Sequence, residues 1–164
     1  MQQKNQGFTL IELIVVIGII AILATLGLST FENVSKNARD AKKKADLKDI
    51  KTALVQFIGQ NGHGPTNYNP GYGVTEGDGN YEKSMQELIN AGFLGTMPKS
   101  PDKQNPYRYY DYGPGNSVGA VVVTTLEAAP DTTTGIPPSC RPWAAGQNWC
   151  DQSSNKYYCL CITY

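Results

Sequence analysis

Three sets of side chains in this sequence could do chemistry. The first is Glu12, a lone carboxylate at the head of a nineteen-residue stretch, 13–31, that carries no charge. A carboxylate beside hydrocarbon is costly when bare, so Glu12 is a functional candidate whose partner must be found elsewhere. The second is a group of four cysteines, Cys140, Cys150, Cys159 and Cys161, all in the last 25 residues. Thiolates suit tetrahedral zinc, but no CxxC pair is present and Cys-x-Cys is an unusual zinc knuckle. Clustered cysteines in an exported domain read instead as two disulfides. The third is a pair of loop carboxylate groups, Glu127 with Asp131 and Glu76 with Asp78 and Glu82. Calcium takes six to eight oxygens and neither group matches the EF-hand pattern, so solvated loop carboxylates are expected. The single histidine, His63, lies between glycines and reads as a solvated loop residue. There is no P-loop, HExxH or Gly-x-Ser-x-Gly string, and no catalytic constellation; the chain does not read as an enzyme.

The elements that position these residues follow from length and periodicity. The chain has 164 residues, enough for one domain plus an anchor. Its formal net charge is zero, so no bulk attraction to nucleic acid or anionic lipid is indicated. The 13–31 run would make roughly 28 Å of helix, close to the ~30 Å hydrocarbon thickness. A secretory signal, a plain single-span anchor and a buried soluble helix are the simpler readings of that run. The first wants a shorter apolar region and a small-x-small site, of which residues 21–24 offer only a poor version.

The helix should continue past the apolar run. Phe31, Val34, Ala38, Ala41 and Ala45 keep 3-and-4 spacing, and Leu47, Ile50, Leu54, Phe57 and Ile58 repeat it. No proline precedes Pro65, and Gly59 with Asn61-Gly62 supplies a stop. The expectation is one helix of about fifty residues, roughly 75 Å long, whose bulky second stripe docks a small sheet. The interleaved charges over 39–51 read as a solvated face making i,i+4 pairs rather than a DNA site. Residues 60–80, rich in Gly and Pro, read as loop. Ser84-x-x-Glu87 reads as a capping box for a short helix, with Met85, Leu88 and Ile89 on one face and Gly92 as its stop. Residues 107–112 and 118–126 read as a hairpin turning at Gly113-Pro114-Gly115-Asn116, and 127–156 as loop.

Residues 157–164 read as a last strand. Tyr158, Leu160, Ile162 and Tyr164 share one face, and Cys159 and Cys161 the other. Cysteines two apart on a strand are too far separated to bridge easily. Each should therefore bond Cys140 or Cys150. The nested pairing joins Cys150 to Cys159 and Cys140 to Cys161; the crossed pairing joins Cys140 to Cys159 and Cys150 to Cys161.

Gly7-Phe8-Thr9-Leu10-Ile11-Glu12, followed by the apolar run, resembles the type III leader junction of type IV pilins and type II secretion pseudopilins. The resemblance implies cleavage between Gly7 and Phe8 by a prepilin peptidase, and methylation of the new Phe8 amine. It implies that Glu12 pairs with the N-terminal amine of a neighbouring subunit as a filament grows. The run would first anchor the subunit in the membrane and later form the filament core. Leu88, Phe93-Leu94, Pro98, Pro101-Asp102 and Asn105-Pro106-Tyr107-x-Tyr109 are similar to the middle of major pseudopilins and simple major pilins, although the order over 99–103 departs from theirs. Pseudopilins of this type often hold calcium in the loop after the hairpin, which makes Glu127 and Asp131 the calcium candidates. The two resemblances cover about residues 1–126, not the cysteine tail.

The implied fold is α+β, a long N-terminal helix packed on a small antiparallel sheet. The implied division is a leader over 1–7, a long helix over 8–59 with its membrane or filament-core part at 8–31, and a head over 60–164 with a disulfide-bonded tail. Lysine and arginine counts near the apolar run, Lys4 on one side and Arg39, Lys42, Lys43 and Lys44 on the other, would place the head in the cytoplasm. The cysteines and the leader motif argue for the opposite, an N-in precursor with an exported head. The expected function is that of a pilus subunit for adhesion, motility or uptake, forming a helical homo-oligomer. Prepilin peptidase, an assembly platform and minor pilins are its implied partners, with no nucleic acid. The alternatives are a secretion pseudopilin and a membrane-anchored extracellular binding domain that never polymerises.

Overall fold

The computed structural model describes residues 7–69, 73–115, 119–128, 150 and 156–164, without the side chains of 26–30. The chain divides into two compact units, Met1–Lys36 and Asn37–Tyr164. Helix α1, Leu10–Asn61, runs 52 residues through that boundary. It ends as Gly62 takes φ 73° and donates its N–H to the Ile58 carbonyl at 2.8 Å, a left-handed stop open to glycine. Among the described residues no helix is long and apolar enough to cross a membrane. The expected run of 13–31 includes 26–30, which lie outside the described side chains.

The second unit builds its core on the bulky stripe of α1. Leu47, Ile50, Leu54, Phe57 and Ile58 are buried. They cluster with Tyr81, Met85 and Leu88 of α2, Asn80–Asn90, and with one face of a sheet. The sheet has four antiparallel strands in sequence order: β1 Val74–Thr75, β2 Arg108–Asp111, β3 Ala120–Thr125 and β4 Tyr157–Ile162. Strand alternation splits the side chains as the period of two requires. Tyr109, Ala120, Val122, Tyr158, Leu160 and Ile162 face α1, whereas Val121, Val123 and Cys159 form a second apolar cluster with Cys150. The α+β class, the long helix, the 107–126 hairpin and the two faces of the last strand therefore agree with expectation.

Four expectations need correction. The 60–80 segment contains β1: Val74 pairs Tyr109 and Thr75 pairs Arg108, because two residues free of Gly and Pro reach the edge of β2. α2 begins at Asn80, not near Ser84. Asp78 accepts the Asn80 and Tyr81 amides at 2.7 and 2.8 Å, and Glu82 reaches back to the Gly77 and Gly79 amides at 2.8 and 3.0 Å. Ser84 is buried mid-helix, its hydroxyl donating to the Thr66 and Asn80 carbonyls, and Glu87 accepts from the Thr66 amide and the Tyr68 hydroxyl. The thin stripe of Ala38, Ala41 and Ala45 is exposed. The face that turns inward there carries Asp40 and Lys43 instead, so the charged stretch is not wholly a solvated face.

Candidate functional site

At the head of α1, Thr9 and Glu12 form a closed pair. Glu12 Oε2 accepts the Thr9 amide at 2.8 Å and the Thr9 hydroxyl at 2.7 Å, and Thr9 Oγ1 lies 3.4 Å from the Glu12 amide. This is a capping box: the residue three positions in satisfies the orphan amide of the residue before the helix. The Thr-x-x-Glu spacing was legible in the sequence, and reading it there would have given Glu12 a partner inside its own chain. Phe8, Ile11, Val15 and Val16 line a shallow, open apolar recess together with Glu12, which is itself exposed. Around it Phe8, Leu10, Ile11, Leu13, Ile14 and further side chains to Leu23 leave 50 to 92% of their surface uncovered.

The second constellation lies in the other unit. Lys43 Nζ is fully buried, 2.9 Å from Glu127 Oε1, 3.2 Å from the Thr125 carbonyl oxygen, 3.5 Å from Asp40 Oδ1 and 3.6 Å from Asp102 Oδ2. Arg39 donates to Glu127 from Nε at 2.9 Å and from the guanidinium terminus at 2.6 Å. Asp40 in turn accepts the Glu127 and Ala128 amides at 2.8 to 3.0 Å. The Arg39 hydrogen bonds, outweighing desolvation, hold the Glu127 carboxyl below its usual range with help from Lys43, and the same contacts raise Arg39. For Asp102, burial acts upward, but hydrogen bonds from Asn105 and the Gln104 amide, with the Lys43 charge, bring it below the usual range. Three carboxylates and two cations from the middle of α1, the 98–107 segment and the end of β3 thus meet at one place.

The same arrangement bears on Glu127, one of the two calcium candidates. Its oxygens already face two cations, which a calcium ion could not join without strong repulsion. Asp131 lies outside the described residues. Glu76 accepts the Ser100 and Tyr107 amides, and Asp78 and Glu82 cap α2, so that second acidic group is committed to backbone amides. Among the described residues no group of three or more His, Cys, Asp or Glu is disposed to hold a metal. His63 Nδ1 lies 2.7 Å from the Gly64 carbonyl oxygen, with its ring edge-on to Phe57.

Cys150 is bonded to Cys159, with Cα atoms 5.7 Å apart. Cys161 is also disulfide-bonded. The pairing of Cys140 lies outside the described residues, as do Gly113-Pro114-Gly115-Asn116 beyond Gly115 and most of the 127–156 loop.

Residues 2–28 match the family model for the prokaryotic N-terminal methylation motif. The chain is similar to the type IV major pilin protein PilA of Myxococcus xanthus (strain DK1622), 37% identical over 57 residues, which are 35% of this chain and 26% of that one. It is 32% identical over 103 residues to a fimbrial protein of Neisseria meningitidis serogroup A / serotype 4A (strain DSM 15465 / Z2491), covering 61% of this chain and 59% of that one. It is 57% identical over 54 residues to prepilin peptidase-dependent protein D of Escherichia coli (strain K12), covering 33% and 32%. The chain thus aligns with between about a quarter and three fifths of the length of these curated relatives. No solved structure matches it.

Proposed function

Because this chain belongs to the type IV pilin and pseudopilin family, we propose that it is a non-catalytic structural subunit of an extracellular type IV pilus filament serving adhesion, motility or uptake. The precursor sits in the cytoplasmic membrane with its N-terminus inside. Prepilin peptidase cuts between Gly7 and Phe8, and the Phe8 amine is methylated. The subunit then joins a helical homo-oligomer at an assembly platform with minor pilins.

The observation that supports this most is the uncovered apolar surface of residues 8–23 around a single carboxylate. A surface of that kind needs lipid or other copies of the chain against it. Glu12 fits both stages. Before assembly its charge is partly satisfied by Thr9. In the filament the released Phe8 amine of a neighbour supplies an opposite charge where an unpaired one is costly. Mass spectrometry of mature protein tests processing: the first residue should be a methylated Phe8, and a chain still beginning at Met1 would sink the reading. Electron microscopy of sheared surface material should find helical filaments that contain this chain.

The alternative is a secretion pseudopilin, with which the segment over 88–109, Asn105-Pro106-Tyr107 leading into β2, is as compatible as it is with a simple major pilin. It predicts that sheared material from cells at native expression holds no long filaments, and that deleting the chain blocks secretion of another protein.

A further inference from the structure

We propose that Lys43 is a tethered cation standing in place of a metal: its ammonium occupies an oxygen cage that fastens the segment after β3 to α1, so this head binds no calcium there. The proposal is independent of whether the chain forms a pilus, and it rests on the geometry of one atom. Lys43 Nζ has Glu127 Oε1, the Thr125 carbonyl, Asp40 Oδ1 and Asp102 Oδ2 around it at 2.9 to 3.6 Å. Those oxygens come from α1, from the 98–107 segment and from the chain leaving β3. Hard cations are held by the same ligand types, carboxylates and a backbone carbonyl converging from separated positions. Here the converging oxygens stand farther out than the 2.3–2.6 Å that calcium takes, at distances that suit N–H···O contacts and ion pairs.

The cage must be filled. Asp40, Asp102 and Glu127 are within 17% side-chain exposure, and three carboxylates this close and this dry repel one another unless cations stand between them. Arg39 neutralises Glu127 from the solvent side, and Lys43 neutralises all three from within. The Lys43 side chain has no exposed surface, a burial that lysine tolerates only when paired. The work done is positional. Asp40 holds the Glu127 and Ala128 amides, and Lys43 holds the Thr125 carbonyl and the Glu127 carboxylate, so backbone and side chain of the same segment are gripped from one turn of α1.

The test uses the full chain in detergent micelles. The wild type should melt at the same temperature in about 5 mM calcium and in chelator, and calorimetry should detect no binding, because about 5 mM exceeds the ~10⁻⁴–10⁻³ M affinities of extracellular calcium modules. Lys43→Met keeps the length of the stem and removes the charge. It should lower the melting temperature at neutral pH by roughly 10 °C, from the cost of uncompensated buried carboxylates. That loss should shrink as the pH falls below the usual carboxylate range, where Asp102 and Glu127, both held low in the folded chain, take up protons and the cage has less need of a cation. A loss of packing alone would be the same at every pH. A wild type stabilised by calcium overturns the proposal, as does a Lys43→Met loss independent of pH. If Lys43→Met does not accumulate, the wild-type calcium measurement decides.

Discussion

Removing the Glu12 carboxylate has two separable effects. Glu12→Gln keeps an oxygen that can accept from Thr9 but loses the charge, whereas Glu12→Leu loses both. If pairing with a neighbouring amine drives growth, both variants should be cleaved at Gly7 yet yield few sheared filaments. Normal filaments from Glu12→Gln would reduce the residue to a helix cap. Thr9→Ala loses the capping hydroxyl, a change of about 1 kcal/mol at the first turn, and should thin filament yield without abolishing it; immunoblots of sheared and cell-bound fractions read all three. A second residue-scale prediction concerns acid. Glu127 has a lower pKa folded than unfolded, so its contribution is complete above the unfolded value of about 4.3 and disappears as pH falls through the folded one. Arg39 is one-third exposed and its share is screened by water. Thermal melts should lose stability below about pH 4, and Glu127→Gln should flatten that slope.

Helix α2 carries a clearer lesson in what a sequence discloses. Its apolar face, with Met85 and Leu88, and its stop at Gly92, φ 78°, were both legible. Its start was not, because two carboxylates compete for the role. Ser84 with Glu87 has the spacing of a capping box, but so does Gly79 with Glu82, and Asp78-Gly79-Asn80 is also a turn signal. Only the position of the 66–68 backbone, which takes Ser84 and Glu87 for itself, settles which pair caps. Asp78→Ala should therefore cost about 1–2 kcal/mol, since the Asn80, Tyr81 and Thr75 amides lose one acceptor. Glu87→Ala should leave the helix start intact. Urea unfolding followed by circular dichroism separates the two. The middle of α1 was misread for a related reason. Lys43 and Asp40 belong to a charged run in sequence, and their burial depends on Asp102, about sixty positions away, and on Glu127, 84 positions from Lys43 and 87 from Asp40. Local periodicity cannot report such partners.

At the scale of the molecule, the elements that local pattern could reach were the long helix, the hairpin and the last strand. Alternation over 157–162 also placed the cysteines on the face away from α1, where Cys159 meets Cys150. What pattern could not reach was β1, two residues held only by the edge of β2. The Cys150–Cys159 bridge closes a loop with a sequence separation of 9. A loop of that size should contribute about 2–3 kcal/mol. Full reduction should thus lower the melting temperature of the full chain, and Cys150→Ser should reproduce part of that fall.

The strand order has a consequence in time. β4 is made after the other described elements, yet it pairs along all of β3, with Val122 opposite Leu160, and Tyr158, Leu160 and Ile162 complete the layer over α1. Until residues 157–162 leave the ribosome, β3 is an open edge with apolar side chains on both faces, a template for pairing with a wrong strand. The sheet of the head therefore cannot close before residues 157–162 are made. A nascent chain stalled or truncated before Tyr157 should be retained by chaperones or degraded, whatever the state of its first 150 residues.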